Sequence, residues 1–187
     1  RHNYTGRPAV GQSSKRGKGK ATKISKVKEQ AYNSLVRPRV EYATPAWAPY
    51  EKQHIASIEV VQRSALRFVT GDYSRYSSVT SMRETLGWET LECRRHLAAA
   101  TTFYKSLHNL IYLPIPNSVQ SADPRTRSNH PYKFRHIATN TNAYKYSFFP
   151  RTIPLWNSLP NIAVTATSPE AFQAYALPTI RTICHPN

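Results

Sequence analysis

Acidic residues are scarce in this chain: 10 Asp and Glu stand against 26 Lys and Arg in 187 residues, a formal net charge of +16. Asp72 and Asp123 are the only aspartates, so no tight aspartate pair for two-metal nucleotidyl transfer is present. Cysteine is scarcer still, with two residues, which excludes a disulfide framework and a four-cysteine zinc site. The histidines are scattered, and Cys93 and Cys184 read as solitary, so no metal ligands are expected. No GxSxG, HExxH or phosphate-cradling glycine loop occurs, and glycine itself numbers six. On these grounds no self-contained active site is expected. No apolar run approaches the roughly 18 residues of a membrane span. The opening at Arg1 and the polar stretch after it predict no signal peptide, and point to a fragment or a processed product. A reducing, nuclear or cytoplasmic setting follows as the expectation.

What is present is basic charge, and it is segregated. Residues 1–28 hold nine Lys or Arg and no acid, residues 29–123 hold ten basic and nine acidic residues, and residues 124–169 hold six basic and no acid. A one-signed basic segment repels itself unless a polyanion neutralises it. Nucleic acid is the partner this favours, since neutralised phosphates release counterions. An anionic membrane fits less well, because neither segment is a clean basic amphipathic helix.

The pattern divides the chain into 1–23, a disordered basic arm; 24–113, a helical bundle; 114–131, a linker; and 132–187, a C-terminal extension with short strands and a last helix. The arm carries Lys15, Arg16, Lys18 and Lys20 among glycines. It reads either as a solvated tail or as a nuclear-localisation or nucleic-acid contact. Ile24, Val27, Ala31 and Leu35 share a helical face, with a kink or stop expected before Pro38. Trp47 is assigned to the core. A helix is expected over about 51–70, with Gly71 as its cap and Ile55, Ile58, Val61, Ala65, Phe68 and Val69 facing inward. On its other face Glu59, Arg63 and Arg67 step by four. They form either a solvated ion-pair ladder or a phosphate-facing Arg pair. A short helix then starts at Ser77 or Ser78, and a longer one at Thr90, with Arg94 and Arg95 in its first turns. Cations are disfavoured there unless an acid or phosphate meets them.

Beyond 131, residues 132–137 and 144–148 alternate weakly, which predicts a small hairpin. Ser168-Pro169 starts a last helix. The expected fold class is therefore mainly α: a helical bundle with a small extended, β-hairpin-like C-terminal region and a disordered basic arm. The candidate nucleic-acid contacts are Lys15, Arg16, Lys18, Lys20, Arg63, Arg67, Arg125, Arg127, Lys133, Arg135 and Arg151. Tyr132, Phe134, Tyr144 and Tyr146 are either base-stacking platforms or core residues.

Three stretches carry a family resemblance. The first is Ala31-Tyr32-Asn33-Ser34-Leu35-Val36-Arg37-Pro38 through Ala43, with Trp47-Ala48-Pro49. The second is Ile58-Glu59-Val60-Val61-Gln62-Arg63-Ser64-Ala65-Leu66-Arg67-Phe68-Val69, followed by Leu86-Gly87-Trp88-Glu89-Thr90-Leu91-Glu92-Cys93-Arg94-Arg95. The third is Arg127-Ser128-Asn129 and then Tyr144-Lys145-Tyr146-Ser147-Phe148-Phe149-Pro150-Arg151-Thr152-Ile153 with Trp156-Asn157-Ser158-Leu159-Pro160. In order and spacing, over roughly 25–177, the chain resembles the region after the catalytic palm in reverse transcriptases of non-LTR, LINE-type, jockey-like retrotransposons. The resemblance implies a thumb-like role for 25–70 against a template–primer duplex. It also implies RNA or DNA as partner, together with the element's own palm or endonuclease domain. The intact family would use Mg2+ on palm aspartates that have no counterpart here, so this chain alone carries no cofactor and is expected to be inactive. Ser64 stands where the family often has a second basic residue after Gln-Arg, which thins any basic stripe on that helix. The alternative is a non-enzymatic protein-interaction module derived from such an element, with the apolar residues of 144–160 as its docking surface.

Overall fold

A computed structural model of the chain describes residues 14–123, 125 and 130–185, with side chains described from residue 23 onward. In order the elements are α1 (Ser14–Ala31), a π-helical turn (Tyr32–Val36), α2 (Arg37–Glu41), α3 (Thr44–Trp47), α4 (Lys52–Thr70), α5 (Val79–Leu86), α6 (Leu91–Leu107), α7 (Asn142–Lys145), α8 (Phe148–Ser158), α9 (Asn161–Val164) and α10 (Pro169–Cys184).

Local chemistry explains most of these boundaries. Pro38 has no N–H to donate back to Ser34, and its ring crowds the preceding turn. The chain absorbs this by widening into the π-turn, where the Arg37 N–H donates to the Tyr32 carbonyl, and of the two expected outcomes, a kink or a stop, the helical path continues through Pro38. Gly71 (φ 72°) and Gly87 (φ 66°) end α4 and α5 in the left-handed conformation that glycine adopts without a Cβ penalty. The hydroxyls of Ser78, Thr90 and Ser168 accept N–H bonds at the starts of α5, α6 and α10.

The core sits between α6, α8 and α10. Phe103, Tyr104, Ile153, Trp156, Leu159, Phe172, Ala176 and Ile180 are at most 1% exposed. The Phe103 ring meets Trp156 edge-on at 5.1 Å, and Tyr104 stacks on Phe172 at 4.6 Å. Each of the larger apolar side chains contributes about 1.5–3 kcal/mol by leaving water. Tyr104 also donates its hydroxyl to the Ala166 carbonyl at 2.7 Å, so its polar end is satisfied inside. Ala65, Leu66 and Val69 of α4, Met82 of α5 and Leu91 of α6 are buried as well, where α4 packs on α5 and α6.

The hairpin expected over 132–148 is absent, and the fold is a helical bundle. Among the described residues, extended pairing is confined to one antiparallel bridge, Ser121 to Phe134. The segment 144–148 makes no strand. The Thr141 hydroxyl accepts the Tyr144 N–H and starts α7, and α8 begins at Phe148. What replaces the partner strand is a side chain. Asn157 of α8 accepts the Phe134 N–H at 3.0 Å and donates to the Phe134 carbonyl at 2.8 Å. Both backbone groups of Phe134 are thereby satisfied without a neighbouring strand.

The basic arm is corrected in part as well. Residues 14–22, expected to be disordered, lie in α1, and residues 1–13 lie outside the described residues. Trp47, assigned to the core, is 44% exposed and donates its indole N–H to the Tyr42 carbonyl. The apolar face expected on α1 also stays in solvent: Ile24, Val27 and Leu35 are all more than half exposed. Tyr32 turns inward there and stacks on Trp88 at 4.7 Å.

Candidate nucleic-acid interface

The acids of the bundle are largely consumed inside it. Glu29 accepts the Trp88 indole N–H at 3.0 Å. Glu41 takes a forked pair of bonds from Arg94. Glu59 accepts the N–H groups of Leu91 and Glu92 at the start of α6, at 3.4 and 2.8 Å, with Arg95 at 3.6 Å. Glu89 receives Arg181. Acids therefore meet Arg94 and Arg95 in the first turns of α6. Bonding to Glu41 holds Arg94 above the usual guanidinium range, while burial lowers Arg95 despite Glu59. Glu59 is committed to α6 and does not build the expected ladder with Arg63.

The cations left outside are unbalanced. Lys23 and Lys26 of α1 and Lys52 and Arg63 of α4 are exposed, and among the described residues they enter no ion pair. α1 packs on α4, and Lys28 reaches over the Phe68 ring at 4.9 Å. Arg67 joins this face but donates to the Ser74 carbonyl at 2.7 Å. A second basic group lies about the bridge. Arg125 and Arg135 are exposed there and Lys133 is half-buried, with backbone bonds Ala122 N–H to Lys133 O and Arg135 N–H to Gln120 O. Lys15, Arg16, Lys18 and Lys20 belong to α1, with side chains outside the described set, and Arg127 lies outside the described residues.

Arg151 stands apart from both groups. Its guanidinium donates to the Ala48 carbonyl at 2.8 Å and the Pro45 carbonyl at 2.6 Å, and burial lowers its pKa. It ties α8 to the end of α3 in place of facing solvent. The aromatics also divide. Phe134 packs on Phe103 at 5.4 Å and Tyr146 stacks on Tyr50 at 3.9 Å, whereas Tyr132 and Tyr144 are exposed.

Within 144–160, Ile153, Trp156 and Leu159 are core, Phe148, Phe149 and Leu155 are half-buried, and Tyr144 and Pro154 are exposed. An exposed apolar groove lies between the π-turn and α4. It is lined by Leu35, Val36, Val60, Val61 and Phe68 and measures about 510 Å³. Sequence patterning missed it because the buried face of α4 is rotated. Gln62, Ala65, Leu66 and Val69 point inward, and the Gln62 amide donates to the Glu89 carbonyl at 2.8 Å.

The aspartates do local work. Asp72 accepts the Ser74 N–H at 2.9 Å, and hydrogen bonds from Ser77 and Ser74 hold its carboxyl below the usual range. Asp123 accepts the Arg125 N–H at 2.9 Å. Among the described residues neither belongs to a group of carboxylates that could hold a metal ion.

Tertiary structure does assemble one group that sequence reading took as solitary. Cys93 and His96 on α6 face Cys184 and His185 at the end of α10. The available signal was a C-x-x-H spacing on one helix and an adjacent Cys-His pair.

No helix among the described residues is long and apolar enough to cross a membrane. Comparison with models of protein families, with characterised proteins and with solved structures finds no match.

Proposed function

We propose that this chain is the thumb and post-thumb region of a non-LTR retrotransposon reverse transcriptase, lacking the palm and contributing grip on RNA or DNA in the nucleus or cytoplasm. The observation that carries the reading is the charge sorting on α1 and α4. Glu29, Glu41 and Glu59 are spent on internal hydrogen bonds, while Lys23, Lys26, Lys52 and Arg63 stand exposed without acidic partners among the described residues. The three family-like stretches add to it. Such cations hold phosphates without reading bases. Tyr132 and Tyr144, both exposed, are the side chains open to base stacking.

The test is a titration of labelled single-stranded RNA and of an RNA–DNA duplex between about 50 and 200 mM salt. Binding at a Kd of roughly 1–100 μM that weakens steeply with salt is expected. Salt-independent binding, or none at the lowest salt, rejects the reading.

One observation favours a second reading, a protein-interaction module derived from such an element. The groove of Leu35, Val36, Val60, Val61 and Phe68 is an apolar surface of the kind proteins cover. The palm or endonuclease domain of the same element is its proposed partner. Charge reversal at Arg63, Arg125 and Arg135 separates the two readings. It abolishes nucleic-acid binding and leaves protein docking intact.

A further inference from the structure

Leu35 and Val36 of the π-turn form one wall of the apolar groove, and Val60, Val61 and Phe68 of α4 form the other. Small side chains at Ala31, Ser64 and Ala65 leave about 510 Å³ between them. Leu35 is 65% exposed, Val60 47% and Phe68 45%, although apolar area of this kind is favoured out of water. A flat lipid surface would meet only the edges of such a groove, whereas a helix lying in it can fill it.

The charge around the groove has one sign. In α1, the π-turn, α2 and α4 the acids are Glu29, Glu41 and Glu59. Each is taken: Glu29 by Trp88, Glu41 by Arg94 and Glu59 by the start of α6. Cations flank the walls instead. Lys28, one turn before Ala31 and Tyr32, reaches over the Phe68 ring at 4.9 Å. Arg39 is exposed one turn beyond Leu35 and Val36. Arg67 precedes Phe68 and uses one guanidinium nitrogen on the Ser74 carbonyl at 2.7 Å. A complementary occupant therefore carries apolar side chains along one face and carboxylates beside them.

Two occupants from the chain itself do not answer this charge. A second copy would bring a net charge of +16 against another of +16. The basic arm holds no acid over residues 1–28.

We propose that the groove takes an acidic amphipathic helix of a partner protein. Its apolar anchors, spaced i, i+3 or i+4 and i+7, lie between the walls, and Asp or Glu on its flanks face Lys28, Arg39 and Arg67. The proposal rests on the protein-interaction reading and names the chemistry of the partner.

The test uses the full chain and labelled peptides read by fluorescence anisotropy. The probe is a helical peptide of about 20 residues with leucines at the anchor spacing and Glu on the flanks. One control carries Gln for every Glu, and another scrambles the acidic sequence. At low salt the acidic peptide should bind about tenfold more tightly than the Gln peptide, the product of three surface pairs of ordinary strength. Salt should shrink that advantage. The scrambled peptide should bind weakly. The double variant Leu35→Gln, Val60→Gln should weaken the acidic peptide by about tenfold or more while circular dichroism and RNA affinity hold, since both side chains are exposed. Lys28→Gln with Arg39→Gln should lower the preference for the acidic peptide. Equal binding of the acidic and Gln peptides overturns the proposal and leaves the protein-interaction reading standing. Failure of both peptides also overturns it, and docking of the palm or endonuclease domain on wild type and on the Leu35, Val60 variant then decides that reading separately. Unchanged peptide binding by this variant would place the acids on cations elsewhere. Phosphatidylserine vesicles, or a second copy in sedimentation, held through Leu35 and Val60 in place of the peptide would assign the face to a membrane or a dimer and overturn the proposal.

Discussion

At Arg151 one guanidinium satisfies two carbonyls, of Pro45 and Ala48, on a segment more than a hundred residues earlier. Arg151→Ala should cost about 2–3 kcal/mol in urea unfolding, since it leaves two half-buried acceptors unpaired. Arg151→Lys should recover little of this, because an ammonium cannot fork to both. Nucleic-acid affinity per folded molecule should hardly change, which separates a clamp from a phosphate grip. His130 gives a pH prediction. It is 2% exposed with Nε2 3.2 Å from the Trp156 carbonyl, and burial holds its imidazole below the ordinary value. The unfolded chain then binds the proton more readily than the folded one. Stability is therefore complete above about pH 6.5 and declines below it, by at most about 1.4 kcal/mol per pH unit from this residue. Wild type should lose more stability than His130→Asn between about pH 7.5 and 5.5 by thermal unfolding. Equal losses would refute the assignment.

Among the elements, α6 has the most unusual start. Two arginines sit in its first turns, where the helix dipole repels them, yet carboxylates reach both from other helices. Glu59 does two things at once: it accepts the Leu91 and Glu92 N–H groups and faces the buried Arg95. Glu59→Ala should therefore destabilise by about 3–5 kcal/mol, because it strands a buried charge. The double variant Glu59→Ala, Arg95→Met should regain a large part of that loss. Additive losses in the double-mutant cycle would show that the pair is not coupled. The stretch 132–148 shows how an element can be misread. Its alternation is real, but a strand needs a partner for its backbone, and the Asn157 side chain already fills that role for Phe134.

For the molecule as a whole, Phe103 and Tyr104 precede the 113/114 boundary drawn from sequence, and their packing partners Trp156 and Phe172 follow it. The described chain should unfold in one transition, with tryptophan fluorescence and far-UV circular dichroism coincident. A chain ending at residue 113 should show no cooperative transition, because α6 would expose the face that now carries the core. Noncoincident probes, or a stably folded 1–113, would divide the molecule into two bodies.

Composition and local chemistry determined α4, α5, α6 and α10, their caps and the excess of positive charge. Gly71, Gly87, Thr90 and Ser168 act through neighbours within four residues, so their effect is legible in the chain itself. Tertiary structure decided which charges survive at the surface and which side chains meet. Glu59 belongs to α6 instead of Arg63, Arg151 became a clamp, and His96 met Cys184, because each of these outcomes depends on how distant helices pack. Periodicity marks that a helix is amphipathic. The rotation of α4 that buries Gln62 and leaves Phe68 outside was set by the partners α4 found.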